Sequence, residues 1–209
     1  MSVPKYIYQL IVNGESEILD FKKTITSVSK IAKTMVSFAN HKGGKLLVGV
    51  NDNGSISGIR SDEEKYMLDM AAGFFCKPAI DITIEEWEFE GRTILEVTIP
   101  KGEHRPYSAK DENGKWWVYI RLKDESLLAS KVMVDVLRKQ NSDEGVKISY
   151  TSKEKALLDF LTSHDRITVK ELCNMLNIAR WRAQRMLVNL VSIGVVRVHN
   201  TEKTEFYTL

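Results

Sequence analysis

The spacing of apolar positions changes several times along the chain, and each change predicts a new element. Ile18-Leu-Asp-Phe21 reads as a short strand. Val28, Ile31, Ala32, Met35, Val36, Phe38 and Ala39 recur mostly three and four apart, which predicts a helix from Val28 to Asn40. Gly43-Gly44 ends it, because glycine accepts the positive φ that follows a helix. Lys45-Leu-Leu-Val-Gly-Val50 is apolar toward both sides, as in a strand covered on both faces. Asn53-Gly54 is a hairpin-type turn signal and predicts a return strand. Ser61-Asp-Glu-Glu64 has capping-box spacing for a helix running to about Phe75. Ile80 to Glu88 and Thr93 to Ile99 alternate as strands around a turn at Glu90-Gly91. Tyr107 and Trp117-Val-Tyr-Ile-Arg121 flank Asn113-Gly114 as a further hairpin, and Ser130 to Lys139 forms a short amphipathic helix. The expectation for residues 1–140 is an α+β domain built on one sheet of mixed direction.

A polar stretch without apolar periodicity follows, and residues 141–150 are expected to form a linker. Beyond it the pattern is helical. Ala156, Leu157, Phe160 and Leu161 share one side of a helix from Thr151 to Ser163. Thr168-Val-Lys-Glu171 is a second capping box, opening a helix through Leu176. A short turn at Asn177-Ile178-Ala179 leads to a third helix, Arg180 to Ser192, ended by Gly194. Two apolar stretches, Val195-Val-Arg-Val198 and Glu205-Phe-Tyr-Thr208, flank a polar turn. Residues 151–209 thus predict three helices and a terminal hairpin, a winged helix-turn-helix domain.

Charge separates these two parts. The net charge is +2, but residues 1–150 carry 21 Lys and Arg against 22 Asp and Glu, whereas residues 151–209 carry 9 against 6. The basic end is the first place to seek phosphate contacts. Arg180, Trp181, Arg182, Gln184 and Arg185 crowd the first turns of the third helix. In a helix-turn-helix those turns enter the major groove, where arginine and glutamine bond to guanine and adenine edges. His199 and Lys203, with the hydroxyls of Thr201 and Thr204, are placed for phosphate contact on the hairpin. Trp181 is expected to pack under that hairpin. The same side chains would also suit a solvated surface or a protein-docking module, and the latter predicts an apolar patch over the helix.

Three blocks in the first domain carry a family resemblance. They are Gly14-Glu-Ser-Glu-Ile-Leu-Asp-Phe-Lys22, then Phe38-Ala-Asn40 with Gly43-Gly44, then Val48-Gly-Val-Asn-Asp52 with Gly54. In this order they resemble the Schlafen/AlbA-type DNA-binding domain, whose bacterial members often carry a winged helix and are described as transcriptional regulators. Tyr119-Ile-Arg121 and Ser126 to Ser130 extend the resemblance more weakly. Some family members cleave RNA with three carboxylates, which by position fall on Glu15, Asp20 and Asp52. Asp20 stands where the family usually has glutamate and is one methylene shorter, and Asn51 stands where it often has aspartate. Three convergent acids could hold Mg or Mn. Five-residue spacing, however, sets Glu15 and Asp20 on opposite faces of a straight strand, so convergence requires a bend near Gly14. As solvated groups, Glu15 and Glu17 would need no partner, and Asp20 would pair with Lys22 or Lys23. Lys22, Lys42, Lys23 and Lys45 are candidate phosphate contacts.

Other chemistries lack signals. Gly43-Gly-Lys-Leu-Leu47 does not match the Gly-x-x-x-x-Gly-Lys-Ser/Thr phosphate loop, so ATP is not expected as a cofactor. Cys76 and Cys173 are read as reduced, and neither cysteine nor His41 and His104 show zinc spacing. No apolar stretch reaches membrane length and no secretory leader is recognised, so a cytoplasmic location without membrane partners is expected. The reading favoured is a non-enzymatic, homodimeric DNA-binding regulator without a cofactor. The alternative is a metal-dependent endoribonuclease acting on RNA through Glu15, Asp20 and Asp52.

Overall fold

A computed structural model of the chain describes residues 5–141, 150–201 and 204–209. These divide into two compact units, Met1–Ala129 and Ser130–Leu209.

The first unit contains helices α1 (Lys5–Asn13), α2 (Val28–Ala39) and α3 (Glu63–Phe74). Strands β1 (Leu19–Lys22), β2 (Gly44–Val48), β4 (Thr83–Phe89) and β5 (Arg92–Ile99) form one sheet in the order β1-β2-β5-β4. Its β1–β2 pair is parallel and the other pairs are antiparallel. Strands β3 (Cys76–Lys77), β6 (Ser108–Lys110), β7 (Trp116–Leu122) and β8 (Glu125–Leu128) form a second, antiparallel sheet. Two sheets therefore replace the single sheet expected. Alternation along a strand predicts that a strand exists but not which neighbour it pairs with.

Burial explains the layers. Leu47, Phe21 and Ile94 face a core closed by Ile7 of α1, whereas Leu46, Val48, Leu95 and Val97 face α2. β2 is thus apolar on both sides because helices cover both. α2 is buried against both sheets, with Ile31, Ala32, Met35 and Phe38 at most 3% exposed. Glu96 is fully buried on the α1 side, where it accepts hydrogen bonds from Tyr6, from Lys45 and from Trp87 Nε1 at 2.9 Å. These bonds fasten α1 to the sheet.

Local sequence accounts for most ends. Ser27 caps α2 by accepting from the Lys30 N–H at 3.3 Å. The box predicted at Ser61 and Glu64 does not form. Asp62 is the N-cap, without a side-chain bond, and Glu64 turns inward to accept from Thr24 Oγ1 at 2.5 Å. Asn53-Gly54 does turn the chain, but the predicted return strand is reduced to a single Val50–Ile56 bridge. α1 was not predicted, and its nine residues carry no acidic first turn.

The second unit holds α4 (Lys131–Gln140), α5 (Ser152–Ser163), α6 (Val169–Leu176), α7 (Arg180–Ser192) and a hairpin of β9 (Arg197–Asn200) and β10 (Glu205–Thr208). The box expected at Thr168 and Glu171 forms, and a further one, not expected, pairs Thr151 with Glu154. Ile167 bridges Tyr207, which ties the loop before α6 to the hairpin. Val132 and Val136 of α4 are buried in the same core as Leu157, Leu172, Leu187 and Tyr207. α4, expected with residues 1–140, therefore groups with the helices that follow it. Most of the expected linker, residues 142–149, lies outside the described residues. Among the described residues no helix is long and apolar enough to cross a membrane.

Candidate nucleic-acid interface

α7 is positioned by the turn before it. Asn177 adopts a left-handed conformation with φ 45°, and Ile178 is buried beneath the turn. Ala183, Met186, Leu187 and Leu190 then fix one side of α7 in the core. The other side carries Arg180, Trp181, Arg182 and Arg185, all exposed. Trp181 is 56% exposed, with the Arg182 guanidinium 5.1 Å above its ring. It does not pack under the hairpin as expected, because the α7 core contacts fall on the opposite side. Among the described residues none of the three arginines is in an ion pair.

Two clefts border this strip. One, of about 420 Å³, separates it from α4 and is lined by Lys131, Arg138, Gln184 and Val188. The other, of about 300 Å³, separates it from the start of α5 at Lys153 and Glu154. Trp181, Arg185 and Asn189 line both. Gln184 is half-buried on the α4 side, so its reach outward is less than that of the arginines. On the hairpin, His199 is exposed; its ring stacks on Phe206 at 5.0 Å and its Nε2 lies 3.0 Å from Thr208 Oγ1. Thr201 Oγ1 donates to the Thr204 carbonyl at 2.9 Å, so that hydroxyl closes the turn. Lys203 lies outside the described residues.

The first unit supplies the carboxylates. Gly14, at φ 76°, and a Ser16–Leu19 bridge turn the chain back before β1. Glu15 Oε1 consequently accepts the Phe21 N–H at 2.8 Å. Burial pushes the Glu15 carboxyl above its ordinary range; the Phe21 N–H and Lys22 oppose this, while Asp20 and Asp52 reinforce it. The three acids thus share one electrostatic neighbourhood. They do not share ligand geometry, however. Asp20 is buried and occupied, with Oδ1 accepting from Arg121 Nη2 at 2.9 Å and Oδ2 paired with Lys22. Asp52 stands exposed on a turn closed by other side chains: Asn51 donates to the Ser55 carbonyl and Asn53 accepts from the Ser55 N–H, both at 3.0 Å. Among the described residues no three His, Cys, Asp or Glu side chains are grouped to hold a metal ion. The arrangement does not fit a divalent cation on Glu15, Asp20 and Asp52.

A sequence profile of the family described as Schlafen, AlbA_2 matches residues 15–130, more than half of the chain. The chain belongs to this family. Solved structures similar to it include the following two. The DIP2311 protein of Corynebacterium diphtheriae is 16% identical, with a TM-score of 0.47, and the match covers 70% of this chain and 29% of that one. The N-terminal domain of a RecG-related protein from Nitrosomonas europaea is 23% identical, with a TM-score of 0.42, covering 55% of this chain and 86% of that one. The chain therefore spans less than a third of the Corynebacterium protein. No curated protein matches the sequence.

Within the Schlafen, AlbA_2 segment, Arg121 and Asn40 cross-link backbone that is distant in sequence, a role that their spacing did not disclose. Arg121, with a side chain 1% exposed, also donates to the carbonyls of Ser16 at 3.1 Å and Leu19 at 3.2 Å, and lies 4.6 Å above the Phe38 ring. Asn40, in the Phe-Ala-Asn block, donates to the carbonyls of Tyr107 and Tyr119 and accepts the Tyr107 N–H. A basic residue inside an apolar strand is the signal that marks Arg121 in the sequence. Gly43 serves the end of α2, its N–H donating to the Phe38 carbonyl at 2.9 Å. Lys42 pairs with Glu17 at 3.0 Å and Lys45 with Glu96, which leaves Lys22, Lys42 and Lys45 all engaged with acids.

Proposed function

We propose that the chain is a DNA-binding regulator in which the second unit acts as a winged helix and α7 contacts duplex DNA. One observation carries this reading: Arg180, Arg182 and Arg185 stand exposed on the first turns of α7, without an acidic ion-pair partner among the described residues. Such cations release counterions when they meet phosphates and bond to base edges in the major groove. The element order of three helices and a hairpin supports it, as does membership of a family whose bacterial members are described in these terms. Contact is made by the strip Arg180, Trp181, Arg182 and Arg185, which lies away from the buried side formed by Ala183, Met186, Leu187 and Leu190. Lys131 of α4 and Lys153 of α5 extend the positive edge on either side of it. The first unit serves as the assembling part, and a homodimer would present two α7 strips to paired half-sites.

Anisotropy titrations of labelled duplex DNA at several salt concentrations test this. Wild type should bind with a salt-dependent affinity. The Arg180/Arg182/Arg185→Ala variant should bind at least about tenfold more weakly, with a salt slope shallower by about one for each phosphate the variant no longer neutralises. Equal affinity and slope for the two proteins overturn the proposal. Parallel titrations with RNA show whether the strip distinguishes the two polymers. Cleavage through Glu15, Asp20 and Asp52 is the weaker reading, since Arg121 and Lys22 already neutralise Asp20.

A further inference from the structure

A cavity of about 480 Å³ opens in the first unit where the end of α1, the turn before β1, the Gly43-Gly44 corner and the end of β5 meet. Its size falls within the roughly 300–1,000 Å³ usual for small-molecule sites. Leu10, Ile18, Ile99 and Pro100 make its lining mainly apolar. Its charged lining residues are three lysines, Lys42, Lys45 and Lys101, with no acid among them.

The three cations differ in availability. Lys45 is held by the buried Glu96. Lys42 is paired, among the described residues, with Glu17, at an exposed position where such a pair contributes little. Lys101 is exposed and has no ion pair among the described residues. Ile18 is 52% exposed at the mouth, leaving apolar surface beside these charges.

The walls are fixed before any ligand arrives. Arg121 holds the carbonyls of Ser16 and Leu19 from behind. At the opposite corner, Gly43 has φ 78° and sits so close to the backbone that a Cβ there would lie 2.7 Å from the Lys101 nitrogen. A pocket braced in this way does not lose affinity to its own ordering.

We propose that this cavity binds a small amphipathic anion, an apolar body carrying a carboxylate, sulfonate or phosphate at one end. The body lies on Leu10, Ile18, Ile99 and Pro100, and the anionic end meets Lys101 and Lys42 at the rim. This site is separate from the α7 strip and does not depend on the reading of it.

Fluorescence titration with anilinonaphthalene sulfonate, and with N-phenylnaphthylamine as the same rings without the sulfonate, tests the site. The sulfonate should bind saturably at one site, about tenfold more tightly than the uncharged probe, as one charge-assisted contact would give. Lys101→Glu should weaken the sulfonate about tenfold and leave the uncharged probe unchanged, and Lys42→Glu should act in the same direction. Ile18→Asp should weaken both probes. All three positions lie at the rim rather than in a core, and matching unfolding midpoints will confirm that each variant is folded. Absence of saturable binding to the wild type overturns the proposal, as does sulfonate binding that is indifferent to all three substitutions.

Discussion

Arg121 joins parts of the chain that lie far apart in sequence. It is 101 positions from Asp20 and 105 from Ser16, and it bonds to both. Arg121→Met should therefore cost about 3–5 kcal/mol in urea unfolding, because it leaves Asp20 buried with less compensation. Adding Asp20→Asn should recover part of that loss, and a double-mutant cycle reads the coupling. Glu96 gives the complementary pH dependence. Burial pushes its carboxyl up, but hydrogen bonds from Lys45, Tyr6 and Trp87 outweigh this and hold it below its ordinary 4.5. A depressed carboxylate stabilises the fold above the unfolded value, and that contribution disappears as pH falls through the folded value. Wild type should lose stability as pH falls below about 4.5, and Glu96→Gln should flatten that acid limb while lowering stability at neutral pH.

At the level of elements, helix ends and turns were the most legible features, because they are encoded within a few residues. The Thr168–Glu171 capping box and the turns at Asn53-Gly54 and Asn113-Gly114 follow from side chains that bond to nearby backbone. Thr168→Ala should cost about 1 kcal/mol in thermal or chemical unfolding through loss of its bond to the Glu171 N–H. Gly43→Ala should cost more than that, since it combines a left-handed φ with a clash against backbone that cannot move aside. Failures came where an element depends on distant partners. Glu64 had the spacing of a cap but bonds to Thr24, 40 positions away. α1 holds only nine residues rich in aromatic and β-branched types, and what keeps it helical is the sheet beneath it. The carboxylate neighbourhood was legible in part: the bend near Gly14 exists, but the arginine that claims Asp20 is not inferable from local spacing.

For the whole molecule, the division falls before α4 rather than after it. Val132 and Val136 are buried in the second unit's core, so a fragment of residues 130–209 should unfold cooperatively in urea. A fragment of residues 141–209 should be less stable by several kcal/mol, since each buried valine or leucine contributes about 1.5–3 kcal/mol. Equal midpoints for the two fragments would place α4 outside the cooperative unit. The sequence showed two domains through its change of period and charge. It misplaced the border because an amphipathic helix beside a polar stretch does not disclose which core receives it.

The bond between Tyr6 and Glu96 spans 90 positions, and this sets an order of events during synthesis. At roughly 5–20 residues per second, α1 leaves the ribosome some 5 to 20 seconds before the strand that anchors it is made. During that interval the apolar side of α1 lacks Ile94 and Glu96, the part of its cover that β5 supplies. α1 therefore completes its docking only after β5 is made, and nascent chains halted before β5 are where chaperone engagement or aggregation should concentrate.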